Sequence, residues 1–205
     1  MSTDAKSAKH VRPAIFNLPN QLTSLRLLLS IVMFGFITRD YYLTSFVLFV
    51  IAAGTDWLDG YYARKYGQVT TLGRILDPFA DKVIVCGTFI FLVADKNMHT
   101  VPAGLRAWMV VVIVGRELLV TALRSFIEDR GSDFSAKMSG KLKMVFQCIA
   151  AGTCLFYLYR GKPPADCMSD WIWWVLVVFV WSSVVLTIYS GVVYVLVAVR
   201  LLREE

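Results

Sequence analysis

Cysteine, histidine and charge are all scarce in this chain, and each scarcity excludes something. The four cysteines, Cys86, Cys148, Cys154 and Cys167, include no C-x-x-C pair, and three of them sit in apolar segments where a thiol behaves as a small hydrophobe. Neither a disulfide framework nor a zinc site follows. Histidine occurs twice, and His10 reads as a solvated residue of a polar terminus rather than a ligand. Charged residues make up 18% of 205 positions against 57% hydrophobic and 14% aromatic, too few for a soluble domain of this length. No short apolar core with a small-residue cleavage site follows the basic start, so a cleaved signal peptide is not expected and the first span serves as its own insertion signal. Internal repeats and low-complexity tracts are absent too. The net charge of +6 comes from basic residues scattered between apolar runs, which favours anionic lipid and argues against nucleic acid as partner.

What is present reads as an all-α integral membrane bundle. Residues 1–13, with Lys6, Lys9, His10 and Arg12, form a flexible basic tail, and residues 14–205 form a single membrane domain. Asn20 or Thr23 is placed to cap the first helix, and Arg26 reads either as an interfacial anchor or as a substrate-facing group. Apolar periodicity and length predict six transmembrane helices, at roughly 21–39, 42–65, 73–95, 105–128, 138–160 and 170–200. Several apolar cores, such as Val83 to Ala94, are shorter than the roughly 20 residues a bilayer requires. They reach spanning length only if the helix runs on into the polar sequence beside them. Among basic residues only Arg39, Lys96, Arg106, Arg160 and Lys162, of 21, fall on one side, so the termini and the 64–74 and 124–143 regions are expected at the cytoplasm. Trp171, Trp173 and Trp174 read as an aromatic belt on the opposite side.

The polar sequence between the second and third spans is DWLDGYYARKYGQVTTLGRILDPFAD, Asp56 to Asp81. Helical residues three, four and seven apart share a face, so Asp56, Asp59, Gly60 and Ala63 line one stripe and Asp77 and Asp81, after Gly73, another. Two antiparallel helices would let these stripes converge on one pocket. Four carboxylates near lipid repel one another unless cations are bound, and an oxygen-only donor set suits Mg2+ or Mn2+ and not zinc. The small residues serve either close helix packing or room for a ligand. Arg64 beside them favours a ligand that carries phosphate. Pro78 is expected to bend the start of the third span. A divalent-cation transporter with intramembrane aspartates is the alternative from another class, disfavoured by Arg64 and by the motif's place at helix ends.

The spacing D-x2-D-G-x2-A-R-x8-G-x3-D-x3-D, filled by Asp56, Asp59, Gly60, Ala63, Arg64, Gly73, Asp77 and Asp81, resembles the signature of the CDP-alcohol phosphatidyltransferase family at every defined position. NLPNQLTSLR, GRELLVTALR, SAKMSGKLKMVFQ and TIYSGVVY resemble the bacterial phosphatidylglycerophosphate synthase branch. The resemblance implies a six-helix enzyme of the bacterial inner membrane, usually a homodimer, with a cytoplasm-facing active-site cavity and two divalent cations. It implies that Asp56, Asp59, Asp77 and Asp81 bind the metals and that Asp81 is also the general base. It further implies that Asp59, Gly60, Ala63, Arg64 and Gly73 accommodate the CDP part of CDP-diacylglycerol. Glycerol 3-phosphate is the acceptor it points to, with phosphatidylglycerol, inositol phosphate or serine as alternatives. An anionic acceptor needs cations, and Arg116, Lys141 and Arg124, with Lys143 nearby, are the candidates. Each of them also reads as an anchor to anionic lipid. Glu117 either orients Arg116 or touches substrate.

Overall fold

Backbone groups in lipid must find their hydrogen bonds within their own segment, and a single chain of this composition meets that requirement with helices. The computed structural model describes residues 18–66, 71–129, 138–161 and 169–203, with side chains for all of these except 18–20, 56–66, 71–75, 77, 126–129, 138–141 and 201–203. Every regular element among the described residues is helical: α1 (Leu18–Ile37), α2 (Tyr42–Tyr66), α3 (Thr71–Ala94), α4 (Lys96–His99), α5 (Ala107–Asp129), α6 (Met138–Arg160) and α7 (Trp171–Arg203). The six long helices fall where the apolar periodicity places them. The single turn α4 is not among the expected segments; the Asp95 carboxylate makes it by accepting from the Asn97 amide at 2.7 Å. The basic tail lies outside the described residues.

Leu142–Arg160 and Trp171–Arg200 are long and apolar enough to cross a membrane. Gln21–Ile37 and Tyr42–Thr55 are shorter apolar stretches within longer helices. The second of these continues without a break into the Asp56 to Arg64 sequence, because α2 runs to Tyr66. In the same way α3 carries Gly73, Asp77 and Asp81 on one helix with the apolar Val83 to Ala94 run. Pro78 is accommodated inside α3. Large apolar side chains also cover the outside of the bundle, with Val111 70% exposed and Ile31, Leu118, Val185 and Leu196 similarly open. An apolar exterior around an apolar core is what a lipid environment selects.

Helix α1 packs on α2 and α3, α7 packs on α5 and α6, and the two groups meet where α2 packs on α6 and α3 packs on α5 and α6. The central core takes Met33 and Ile37 from α1, Phe49 from α2, Phe89 and Leu92 from α3, Met109 and Ile113 from α5, Leu155 from α6 and Leu176 from α7. A second, small cluster of Val120, Tyr194 and Ala198 joins α5 to α7. Helices α1 and α3 are packed tightly at Gly87, where an added Cβ would lie 2.2 Å from the Phe34 ring. That ring cannot retreat freely, since it stacks on Phe91 at 4.7 Å. Gly87→Val is therefore expected to destabilise the fold by about 1–3 kcal/mol through overpacking, seen as a lower thermal midpoint in detergent.

At one end of the bundle polar side chains tie the connections together. The Tyr42 hydroxyl lies 2.6 Å from Asp40 Oδ1 and 2.7 Å from Asp95 Oδ2, and Asn97 donates to it at 2.7 Å. Asp40 adopts φ 63°, a left-handed conformation that Asp tolerates better than most residues. Asp170 caps α7 through the Ile172 amide at 3.2 Å and pairs with Arg160 at 3.3 Å, joining the end of α6 to the start of α7.

Three expectations change here. Helix α1 starts at Leu18, so Asn20 and Thr23 lie inside it and neither is its cap; Thr23 is buried. Arg26 is 2% exposed and is no interfacial anchor, because its guanidinium is drawn inward by a carboxylate on α3. Trp171 and Trp174 are exposed, whereas Trp173 is no belt residue: it is buried with its indole N–H donating to the Pro102 carbonyl at 2.9 Å.

Candidate active site

Asp81 is the one aspartate of the motif whose side chain is described. It stands on α3 three residues after Pro78 and is 28% exposed, with Oδ1 accepting from Arg26 Nη1 at 2.7 Å. The partner comes from α1, 55 residues earlier in the chain. A buried arginine opposite a half-open carboxylate holds that carboxylate in one orientation and offsets its charge. The motif residues Asp56, Asp59, Gly60, Ala63 and Arg64 lie on the last turns of α2, and Gly73 and Asp77 on the first turns of α3. Their side chains are outside the described ones, as is that of Lys141 on α6. Helices α2 and α3 touch, so the two halves of the motif belong to neighbouring helices.

Next to Asp81 begins a cluster of cations. Lys82, Arg116, Arg124 and Lys143, from α3, α5 and α6, lie close enough for their charges to oppose one another. Glu117 makes this grouping possible. Its Oε1 accepts from Arg116 Nη1 at 3.2 Å and from the buried ammonium of Lys143. Ser190 on α7 accepts from Arg116 Nη2, and the Tyr194 ring lies under the guanidinium at 5.2 Å. Arg116 thus has a carboxylate, a hydroxyl and an aromatic face holding it in place. Gly191 leaves room for its stem: a Cβ there would come within 3.2 Å of Arg116 Cγ. One turn away Gln147 donates to Thr187 at 3.1 Å, fastening α6 to α7 under the cluster.

Two donors in this cluster meet no acceptor among the described residues. Nε of Arg116 and Nε of Arg124 are buried and have no hydrogen-bond partner among the described residues. Buried guanidinium donors are normally satisfied, and an anion is one partner that would satisfy a pair of them among four cations. Of the acceptor-phosphate cations read from the sequence, the structure groups Arg116, Arg124 and Lys143, and it adds Lys82.

The sequence profile of the CDP-alcohol phosphatidyltransferase family matches residues 16–189. The chain belongs to that family. Among similar proteins, the CDP-diacylglycerol–glycerol-3-phosphate 3-phosphatidyltransferase of Bacillus subtilis is 36% identical over 180 residues, 80% of this chain and 90% of that protein. The protein of the same name from Haemophilus influenzae is 31% identical over 194 residues, 89% and 94% of the two chains. A third, from Pseudomonas fluorescens, is 40% identical over 120 residues, 56% and 58% of the two.

For this phosphatidyltransferase the motif is therefore the signature of an enzyme, and the ion-path alternative is set aside. Two of the charged groups at its site, Arg26 and Lys143, are undecided in the sequence between an anchoring role and a substrate-facing one. Arg26 left one signal, a lone arginine inside the apolar run LRLLLSIVMFGF, where an unpaired charge would be costly. Lys143 left little, since KLK offers two lysines and only the fold selects the one that meets Glu117. Ser190 and Tyr194 carry no charge and are indistinguishable by sequence from other residues of α7.

The donor set of the motif fits hard divalent cations: it is carboxylate oxygen throughout, and the one described member, Asp81, is partly open to its surroundings. Among the described residues no group of three potential metal ligands occurs, and the other three aspartates lie outside the described side chains.

Proposed function

We propose that this chain transfers a phosphatidyl group from CDP-diacylglycerol to glycerol 3-phosphate, giving phosphatidylglycerophosphate and CMP. The observation that carries the acceptor assignment is the pair of buried donors at Arg116 and Arg124 that have no partner among the described residues, grouped with Lys143 and with Lys82, the residue after Asp81. A phosphate-bearing acceptor satisfies those donors, and the names of the similar proteins state the same acceptor. Serine, without a phosphate, and phosphatidylglycerol, with only a singly charged diester, fit a cluster of this charge less well, while inositol phosphate carries the same group and is separated from glycerol 3-phosphate by the acceptor panel.

In the reaction the acceptor hydroxyl oxygen forms a bond to the lipid-bearing phosphorus while the bond from that phosphorus to the CMP oxygen breaks. Asp81 takes the hydroxyl proton, and Arg26 holds its carboxylate in position. Arg116, Arg124 and Lys143, with Lys141, bind the acceptor phosphate, and Glu117 keeps Arg116 and Lys143 from separating. Asp59, Gly60, Ala63, Arg64 and Gly73 accommodate the CDP part. Asp56, Asp59, Asp77 and Asp81 would hold two divalent cations, Mg2+ or Mn2+, which when bound offset pyrophosphate charge and stabilise the leaving group. The six long helices span the bacterial inner membrane with both termini and a cytoplasm-facing cavity at the motif end, and the protein is a homodimer in this reading.

Purified protein in detergent, given CDP-diacylglycerol, Mg2+ or Mn2+ and a panel of acceptors, should release CMP with glycerol 3-phosphate and lose that activity on chelation. CMP release with serine or phosphatidylglycerol but not glycerol 3-phosphate would reject the acceptor; undiminished release in chelator would reject the cations.

A further inference from the structure

A serine or threonine hydroxyl buried in a helix has a ready acceptor for its proton, the carbonyl three or four residues earlier. Four buried hydroxyls of this protein use it: Ser30 donates to Arg26, Ser45 to Tyr41, Thr88 to Ile84 and Ser183 to Val180. Thr187 and Ser190, both fully buried on α7, do not. Ser190 accepts from Arg116 Nη2 and Thr187 from Gln147 Nε2, and neither donates to an acceptor among the described residues. Each hydroxyl oxygen is therefore engaged as an acceptor while its proton is unspent.

Three residues apart, the two hydroxyls share one face of α7. Their partners show what that face meets: Arg116 of α5, and Gln147 of α6, one turn on from Lys143. Arg116 Nε is a third buried donor there with no partner among the described residues. Glu117, the carboxylate of this cluster, accepts from Arg116 and Lys143 and takes neither hydroxyl proton. Unspent donors gathered around one guanidinium call for an acceptor with several oxygens, and a phosphate group is such an acceptor. We infer that Ser190 is itself a ligand of the acceptor phosphate, donating to a phosphate oxygen alongside Arg116 Nε, with Thr187 as the second hydroxyl donor on that face. The inference rests on the reading of the acceptor as a phosphate ester. It gives α7, which has no charged residue from Trp171 to Val199, a part in selecting the acceptor.

Ser190 also holds Arg116, so the test separates contact from positioning. Affinity for inorganic phosphate, measured by calorimetry on purified protein in detergent without lipid donor, should fall about tenfold in Ser190→Ala, equivalent to about 1.4 kcal/mol. KM for glycerol 3-phosphate should rise by a similar factor with kcat near the wild-type value. Ser190→Cys, close in size but a weak donor, carries the same expectation should alanine lower the yield of folded protein. Thr187→Val should act in the same direction, and Ser183→Ala, whose hydroxyl is committed to Val180, should change neither quantity. Arg116→Ala supplies the reference: with Ser190 on the phosphate, adding Ser190→Ala to it weakens phosphate binding at least about threefold further. Equal binding by Arg116→Ala and the double variant would overturn the inference, leaving Ser190 a positioning residue for Arg116. Unchanged phosphate affinity in Ser190→Ala would overturn it by assigning the proton to water, and so would failure of the wild type to bind phosphate. Absence of CMP release by the wild type with glycerol 3-phosphate would reject the proposed reaction, while the phosphate titration still decides the contact.

Discussion

Asp81→Asn is expected to lower CMP release by about 10²–10⁴-fold, the usual contribution of a positioned general base, with the protein still folded. Asparagine keeps the size of the side chain and its acceptor oxygen toward Arg26 but cannot take a proton. Turnover by single-turnover CMP release is the measurement, and a variant that keeps wild-type turnover removes Asp81 from that role. Arg26→Met supplies the complementary result. It leaves the base in place but frees its orientation, so kcat should fall while KM for the acceptor stays near the wild-type value, and Arg26→Lys should recover part of the loss. A fall in both variants only through loss of folded protein would show the pair to be structural.

Arg116→Ala is expected to raise KM for glycerol 3-phosphate by about 10–100-fold, the loss of a charge-assisted hydrogen bond of about 1.5–3 kcal/mol. KM for CDP-diacylglycerol should hardly move, because the two substrates would be held by different groups. Lys143→Met should act in the same direction, and Glu117→Gln should reproduce part of both effects by releasing the two cations it joins. Unchanged acceptor KM in Arg116→Ala, Lys141→Ala and Lys143→Met would place the phosphate elsewhere.

Much of the molecule was legible in its sequence because the constraints involved are local. Apolar run length marked the six long helices, and the shortness of the run ending at Thr55 required α2 to continue through Asp56 to Arg64, as it does. The aspartate spacing identified the family, since eight fixed positions at set intervals are a property of the chain alone. Local signals failed where a neighbouring helix decides. Asn20 and Thr23 have the chemistry of caps, but α1 begins two residues before Asn20, and Trp173 has the composition of a belt residue while its indole is claimed by Pro102.

Chain order alone therefore determined a helical membrane protein, its family and the carboxylates expected to do the chemistry. Only the tertiary structure decided which charges serve them. Periodicity shows which residues share a helix face but not what that face meets, and the contacts at issue lie far apart in sequence: Arg26 with Asp81 across 55 residues, Lys143 with Glu117 across 26, and Arg116 with Ser190 across 74. The resulting arrangement is an arginine-held Asp81 followed by a cation cluster in which two buried arginine donors have no partner among the described residues.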